Sequence, residues 1–343
     1  MALPSSAERA ATPPDLIEDE LALQVLAGDR RALAKAITLL ESTRPEHQQR
    51  ARVVLDTLLP HTGQSLRLGI SGVPGVGKST FIEALGLSLV AGGRKVAVLA
   101  IDPSSTVNGG SILGDKTRME RLAVSDSAFI RPSPSSGTLG GVAERTRESI
   151  LLCEAAKFDV IVVETVGVGQ SETTVAGMTD LFVLLQLPNA GDDLQAMKKG
   201  VMELADIIVV NKSDLDPIAA ERVETQIAAV MRAARASGNP AHALGTGVTP
   251  IVRVSARTGE GIESFWNHAC ELQSRRQADG SFATRRRDQA LTWTWDLVHA
   301  ALLAEFQRHP AVRNVLAQTL NAVSESRLAP ATAARHLLDL FVS

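Results

Sequence analysis

The run Gly72-Val73-Pro74-Gly75-Val76-Gly77-Lys78-Ser79 matches the pattern G-x-x-x-x-G-K-[ST] at every fixed position. Glycines at Gly75 and Gly77 let a loop turn its backbone N–H groups inward. Such donors at the N-terminus of a helix form a cradle for phosphate. In this pattern Lys78 reaches the β- and γ-phosphates, and the Ser79 hydroxyl coordinates Mg²⁺. Val76 and Thr80 complete the loop. The flanks agree with this reading, since the β-rich run Leu66–Ser71 precedes the loop and the helical run Thr80–Val90 follows it.

A second cluster speaks to the base. Asn211-Lys212-Ser213-Asp214 follows the apolar run Ile207–Val210 directly. A carboxylate at Asp214 accepts both the ring N–H and the exocyclic amine of guanine, and adenine does not present that pair. Rejection through buried polar groups left unpaired is large. Ser255-Ala256, after the run Ile251–Val254, stands where a second base contact would arise. An isolated N-K-x-D could equally cap a helix; downstream of a phosphate loop it favours GTP over ATP.

Three carboxylates fall where a metal shell would form. Asp102 ends the run Val96–Ile101, Asp115 lies in the segment Gly109–Arg118, and Glu164 ends the run Phe158–Val163. Acidic side chains at strand ends beside a phosphate loop point into the crevice that holds Mg²⁺ and the γ-phosphate. Each one singly could also cap the element that follows. Gly167 offers a backbone N–H that would sense the γ-phosphate. No residue stands out as a strong water-orienting base, and Gln170 is a weak candidate. Slow intrinsic hydrolysis, accelerated by a partner, is the expectation.

The elements that must position these residues alternate along the chain. Six short apolar runs (Leu66–Ser71, Val96–Ile101, Phe158–Val163, Leu181–Leu187, Ile207–Val210 and Ile251–Val254) are separated by helical stretches. That is the pattern of a parallel sheet covered on both faces. Before it, Leu16–Leu59 reads as roughly three helices broken at Gly28-Asp29 and Arg44-Pro45. After Gly280, Leu291, Trp295, Val298, Leu302 and Phe306 form one apolar stripe. It could pack on the chain's own core or on a second subunit. Pro310 should end that helix, with more helix to Ser343. The expected architecture is α/β, a phosphate-loop nucleotide-binding domain with a mostly parallel sheet. Its division is an N-terminal helical segment (1–60), the α/β domain (61–275) and a C-terminal helical segment (276–343).

Composition narrows the class. Hydrophobic residues at 45% and charged residues at 21% exclude a wholly disordered chain. A net charge of -3 argues against a nucleic-acid scaffold or a polybasic membrane anchor, and a chain with no Tyr is poor in base-stacking aromatics. Cys153 and Cys270 are isolated, so neither a disulfide framework nor a paired-cysteine metal site is expected. The apolar runs are strand-sized and the N-terminus lacks a signal-peptide core, so a cytoplasmic location is expected.

The stretches Ser71–Thr80, Asp102–Ser105, Gly110–Met119, Arg131–Gly141, Glu164–Glu172, Gly191–Gly200 and Asn211–Asp214 together closely resemble the MeaB/ArgK group of phosphate-loop GTPases. The resemblance covers about residues 16–310 and fades beyond Pro310. It implies a homodimeric GTPase whose C-terminal helices form a dimerisation arm. The implied partner is an adenosylcobalamin-dependent acyl-CoA mutase, methylmalonyl-CoA mutase or a close relative, with a cobalamin adenosyltransferase as a further contact. The implied task is to gate cofactor loading and protect or reactivate the mutase. GTP/GDP and Mg²⁺ are the implied ligands of this chain, and cobalamin is not expected to bind it directly. Lys78 and Ser79 keep their loop roles, while Asp102, Asp115 and Glu164 serve the Mg²⁺ and switch positions. Gly191–Lys199 matches an extra switch loop whose working pair is Asp192 and Lys198, the lysine adding positive charge near the phosphates as an arginine finger does. Read without the resemblance, that loop is a charged entry to a helix.

Three rivals remain at this stage, one of them a scaffold with a vestigial nucleotide site, which conflicts with an intact Lys78 and Ser79. A nickel or cobalt metallochaperone GTPase would need clustered Cys or His ligands, and the seven histidines (His47, His61, His242, His268, His299, His309 and His336) are scattered. An arginine kinase or transport ATPase would need an amino-acid pocket, of which the sequence gives no sign.

Overall fold

A computed structural model describes residues 19–102, 119–134, 139–165, 171–188, 199–236 and 248–342. Three helices come first, α1 (Glu20–Leu26), α2 (Arg30–Glu41) and α3 (Pro45–Leu58). Their starts follow from side-chain chemistry. The Asp19 carboxylate accepts from the Leu21 amide, Asp29 accepts from the amides of Arg31 and Ala32, and Pro45 occupies the first turn of α3.

The α/β elements then alternate: β1 (Leu66–Gly72), α4 (Lys78–Ala91), β2 (Val96–Asp102), α5 (Glu120–Ala123), β3 (Ala128–Pro134), α6 (Leu139–Ala155) and β4 (Val160–Thr165). They continue through α7 (Ser171–Ala176), β5 (Leu181–Gln186), α8 (Lys199–Leu204), β6 (Ile207–Asn211), α9 (Pro217–Ala236), β7 (Ile251–Val254) and α10 (Ile262–Ala278). The strands form one sheet in the order β3-β2-β4-β1-β5-β6-β7, and every pairing is parallel. β1 therefore lies centrally, between β4 and β5, so the loop that follows it opens at the middle of the sheet's C-terminal edge. Ligands bind at that edge in open α/β sheets.

Alternate residues along each strand face opposite cores. Leu68, Ile70, Val96, Val98, Val160, Val162, Val183 and Leu185 join α4 and α10 residues such as Phe81, Leu85 and Phe265. Ala97, Leu99, Ile161, Val163, Phe182 and Leu184 face the other way. There they share one buried cluster with Leu33, Ile37, Val54 and Leu58 of the N-terminal helices. Those helices thus cover a sheet face through α6.

Among the described residues the sheet has seven strands where six were expected. The missed one, β3, contains Pro132 and Pro134, and proline reads as a strand breaker because it lacks an N–H. At an edge one side of the strand needs no partner, so proline is tolerated there. β3 also accounts for the first part of the Arg131–Gly137 segment. Its Arg131 guanidinium pairs with Glu41 at the end of α2 and donates to the Thr38 hydroxyl, tying the edge strand to the N-terminal helices.

At the opposite end of the sheet from the phosphate loop, Arg67 holds Glu154 with a two-pronged ion pair. Nε lies 2.9 Å from Oε1 and Nη2 lies 2.8 Å from Oε2. The Gly63 amide donates to the same carboxylate, whose side chain is 0% exposed. Removing the cation alone would leave a buried charge without its counter-ion. Arg67→Met is expected to cost about 3 to 5 kcal/mol in thermal or denaturant unfolding. Adding Glu154→Leu should recover much of that loss, and an unchanged melting midpoint in the single variant would contradict the assignment.

The chain divides into two compact units, Met1–Phe282 and Ala283–Ser343. Three helices occupy the C-terminal region, α11 (Ser281–Arg308), α12 (Pro310–Ser324) and α13 (Pro330–Val342). Pro310 begins α12, as its missing N–H favours. Val312 and Thr319 of α12 and Ala333 and Leu337 of α13 are buried, and the Phe341 ring meets those of Phe306 and His309. No residue of α11 is buried, and its stripe residues Leu291, Trp295 and Leu302 are exposed. No helix among the described residues is long and apolar enough to cross a membrane.

Candidate nucleotide-binding site

β1 delivers the chain into the loop and α4 takes it out. Gly77, the residue before α4, sits at φ +94°, and Gly75 at φ +78°. Both lie in the left-handed region that a side chain resists. A Cβ on Gly77 would come within 2.8 Å of Asn211 Nδ2, so the glycine also lets the loop lie against β6. Nothing stands within 4 Å of where a Cβ on Gly75 would be. The first amides of α4 have no intrahelical acceptor and carry the positive end of the helix dipole. An open, amide-lined turn of this kind suits a polyphosphate.

Lys78 is almost completely buried. Its ammonium lies inside the loop, donating to the carbonyls of Gly72 at 2.9 Å and Val73 at 3.3 Å. Next to it, the Ser79 hydroxyl donates to Glu164 Oε1 at 3.1 Å, joining the first turn of α4 to the end of β4. A hydroxyl and a carboxylate this close make an all-oxygen donor set, the kind that Mg²⁺ prefers. The Thr165 hydroxyl donates to the Ser71 hydroxyl at 2.9 Å, fastening β4 to β1 just before the loop. Thr80 is exposed on the first turn of α4, and Val76 is buried beneath the loop.

Asn211-Lys212-Ser213-Asp214 clasps the same loop from the end of β6. Asn211 Nδ2 donates to the Val76 carbonyl at 2.9 Å, and Lys212 Nζ donates to the Gly75 carbonyl at 2.7 Å. On its other side Asn211 Oδ1 accepts from the Ala256 amide at 3.1 Å. Lys212 reaches the loop from a left-handed backbone, φ +60°. The loop is thus tied to β6 and to the segment after β7 by side chains that also flank Asp214. The pKa of the Asp214 carboxyl is lowered from its usual range. The Ser255 hydroxyl bonded to it is the main cause, followed by the Arg257 guanidinium. Arg257 Nη2 stands 2.7 Å from Asp214 Oδ2.

The structure therefore brings together Gly75, Val76, Gly77, Lys78, Ser79, Glu164, Asn211, Lys212, Asp214, Ser255 and Ala256 on one edge of the sheet. Asp102 ends β2 on that same edge. Asp115, Asp192 and Lys198, with Gly167 and Gln170, lie outside the described residues. Arg257 was not singled out from the sequence. Its position directly after Ser255-Ala256 was the available signal, but nothing in the spacing pairs it with Asp214.

Known proteins match both the sequence and the fold. The model of the family described as methylmalonyl-CoA mutase-associated GTPase MeaB matches residues 33–311. A probable GTPase of Mycobacterium tuberculosis is 52% identical over 96% of this chain and 97% of its own length. The mitochondrial methylmalonic aciduria type A homolog of Mus musculus is 43% identical over 95% of this chain and 80% of its own. Among solved structures, an LAO/AO transport system kinase aligns with a TM-score of 0.73 and 36% identity, covering 94% of this chain and 97% of that one. With the phosphate loop and its clasp in place, the match across most of its length makes this chain a member of the MeaB family of GTPases.

Proposed function

We propose that this chain hydrolyses GTP as a chaperone of an adenosylcobalamin-dependent acyl-CoA mutase, gating cofactor loading and protecting or reactivating the enzyme. The observation that carries the reading is the family match over residues 33–311, since that family is described by its association with methylmalonyl-CoA mutase. The site supplies compatible chemistry. The loop amides and Lys78 hold the phosphates, and Asp214 with the Ser255-Ala256 turn reads guanine. On this reading Ser79 and Glu164 hold Mg²⁺, and Asp102 and Asp115 serve the metal and switch positions. The metal, when bound, would neutralise charge that builds on the phosphate oxygens. Cobalamin stays with the mutase and its adenosyltransferase.

The hydrolytic step needs charge stabilisation more than covalent chemistry. Lys78 supplies one fixed charge. On this reading Lys198 supplies a second once the mutase engages the 191–199 segment, with Asp192 as its partner. Residues 276–343 act as a dimerisation arm, a role supported by the exposed stripe residues Leu291, Trp295, Val298 and Leu302 on α11.

Phosphate release from GTP, measured with and without the cognate mutase, tests the reading. Stimulation of roughly 10²-fold is expected from one added charge at the transition state. Lys198→Ala should keep GDP affinity and lose the stimulation. Equal rates with and without mutase would remove the chaperone reading, and a Lys198→Ala protein still fully stimulated would remove the switch assignment alone.

A further inference from the structure

We propose that Arg257 is a positioning residue for guanine recognition, acting with Ser255 to hold the Asp214 carboxylate as a two-acceptor reader of the base. The proposal rests on the reading of Asp214 as the guanine contact. Arg257 Nη2 is 2.7 Å from Asp214 Oδ2, and the Asp214 side chain is only 14% exposed against 74% for Arg257. A guanidinium on the surface thus reaches in to a carboxylate set deeper in the protein. The nearby cation Lys212 is engaged elsewhere, on the Gly75 carbonyl.

A count of acceptor sites gives this pair its meaning. An ionised carboxylate offers about four lone-pair sites. Arg257 takes one, which leaves sites on both oxygens. Guanine presents two adjacent donors to a carboxylate, its ring N–H and one amine hydrogen, so both can be accepted with Arg257 still in place. Arg257 need not leave for guanine to bind. Its charge also favours the ionised form of Asp214, the form that accepts from both guanine donors. Were Arg257 instead a plug that guanine must displace, its removal would tighten binding. The two roles differ in sign.

The test uses the full-length protein with GDP and with inosine diphosphate, which lacks the exocyclic amine. Affinities are measured by calorimetry from neutral pH into the acid range for the parent, Arg257→Ala, Arg257→Lys and Asp214→Asn. Arg257→Ala is expected to weaken GDP roughly three- to fivefold, the scale of an exposed charge pair, and to narrow the preference for GDP over inosine diphosphate. The acid limit of GDP binding should also move. Asp214 has a lowered pKa in the parent, and removing the guanidinium raises it, so binding is lost at a higher pH as acid is added. Arg257→Lys should restore part of the affinity and of the pH profile.

Unchanged or tighter GDP binding in Arg257→Ala would overturn the proposal. So would an equal loss for both nucleotides with no movement of the acid limit, which would mark a merely structural contact. The Asp214→Asn arm separates the two levels. If that variant binds GDP as the parent does, the guanine reading itself fails. If it binds poorly while Arg257→Ala is unaffected, only the role of Arg257 fails.

Discussion

Replacing Lys78 with Ala is expected to lower GTP turnover by roughly 10²- to 10³-fold, the scale for losing one preorganised donor at a developing charge. The lysine is set against the loop by the Gly72 and Val73 carbonyls, so its charge is already in position and little reorganisation remains for the reaction. A charge held in a buried, amide-lined loop acts through a lower effective dielectric than one in water. Nothing else identified in the loop supplies a cation, and Lys212 lies on its outer side, bonded to the Gly75 carbonyl. Lys78→Arg should rescue poorly, because a planar guanidinium does not fit a position shaped for a compact ammonium. Single-turnover phosphate release is the direct measurement, with a thermal melt to show that the variant is folded. Turnover within tenfold of the parent would mean that the loop binds nucleotide without Lys78 contributing to its chemistry.

The phosphate loop was legible in the sequence because each fixed residue answers a separate physical demand. Gly75 and Gly77 adopt backbone angles that side chains resist, and Lys78 and Ser79 carry the charge and the hydroxyl. Asn211-Lys212-Ser213-Asp214 stood out in the sequence as a candidate guanine reader, but its ties to the phosphate loop did not. That Asn211 and Lys212 fasten onto Val76 and Gly75 depends on β1 and β6 flanking β5, and strand order is a property of the folded sheet. Strand β3 was missed for a local reason, since Pro132 and Pro134 argue against a strand until an edge position removes the objection. The N-terminal helices were recognised from periodicity, which identifies an apolar face without saying what covers it. Their shared cluster with Phe158, Ile161 and Val163 follows from packing across more than a hundred residues of chain. Arg257 is a similar case. A surface arginine is common, and only its distance to Asp214 makes it informative.

Asp214→Asn is the substitution expected to change what the site accepts as well as how tightly it binds. The aspartate offers acceptors alone, matched to the ring N–H and exocyclic amine of guanine. Asparagine turns one of the two positions into a donor, which then faces the guanine amine donor to donor. A mismatch of that kind is penalised twice, by the bond lost and by the polar groups left unpaired in a site only partly open to water. GDP affinity should fall by roughly 10³-fold or more. Xanthine carries a carbonyl where guanine carries the amine, so the same asparagine meets it with an acceptor for the ring N–H and a donor for the carbonyl. Xanthosine nucleotides should therefore gain what guanosine nucleotides lose, and turnover of xanthosine triphosphate by the variant should approach that of GTP by the parent. The loop is untouched by the change, because its ties run through Asn211 and Lys212 and not through Asp214. Competition binding with the two diphosphates reads the switch. A variant that still prefers GDP, or that loses both equally, would show that the base is recognised somewhere other than at this carboxylate.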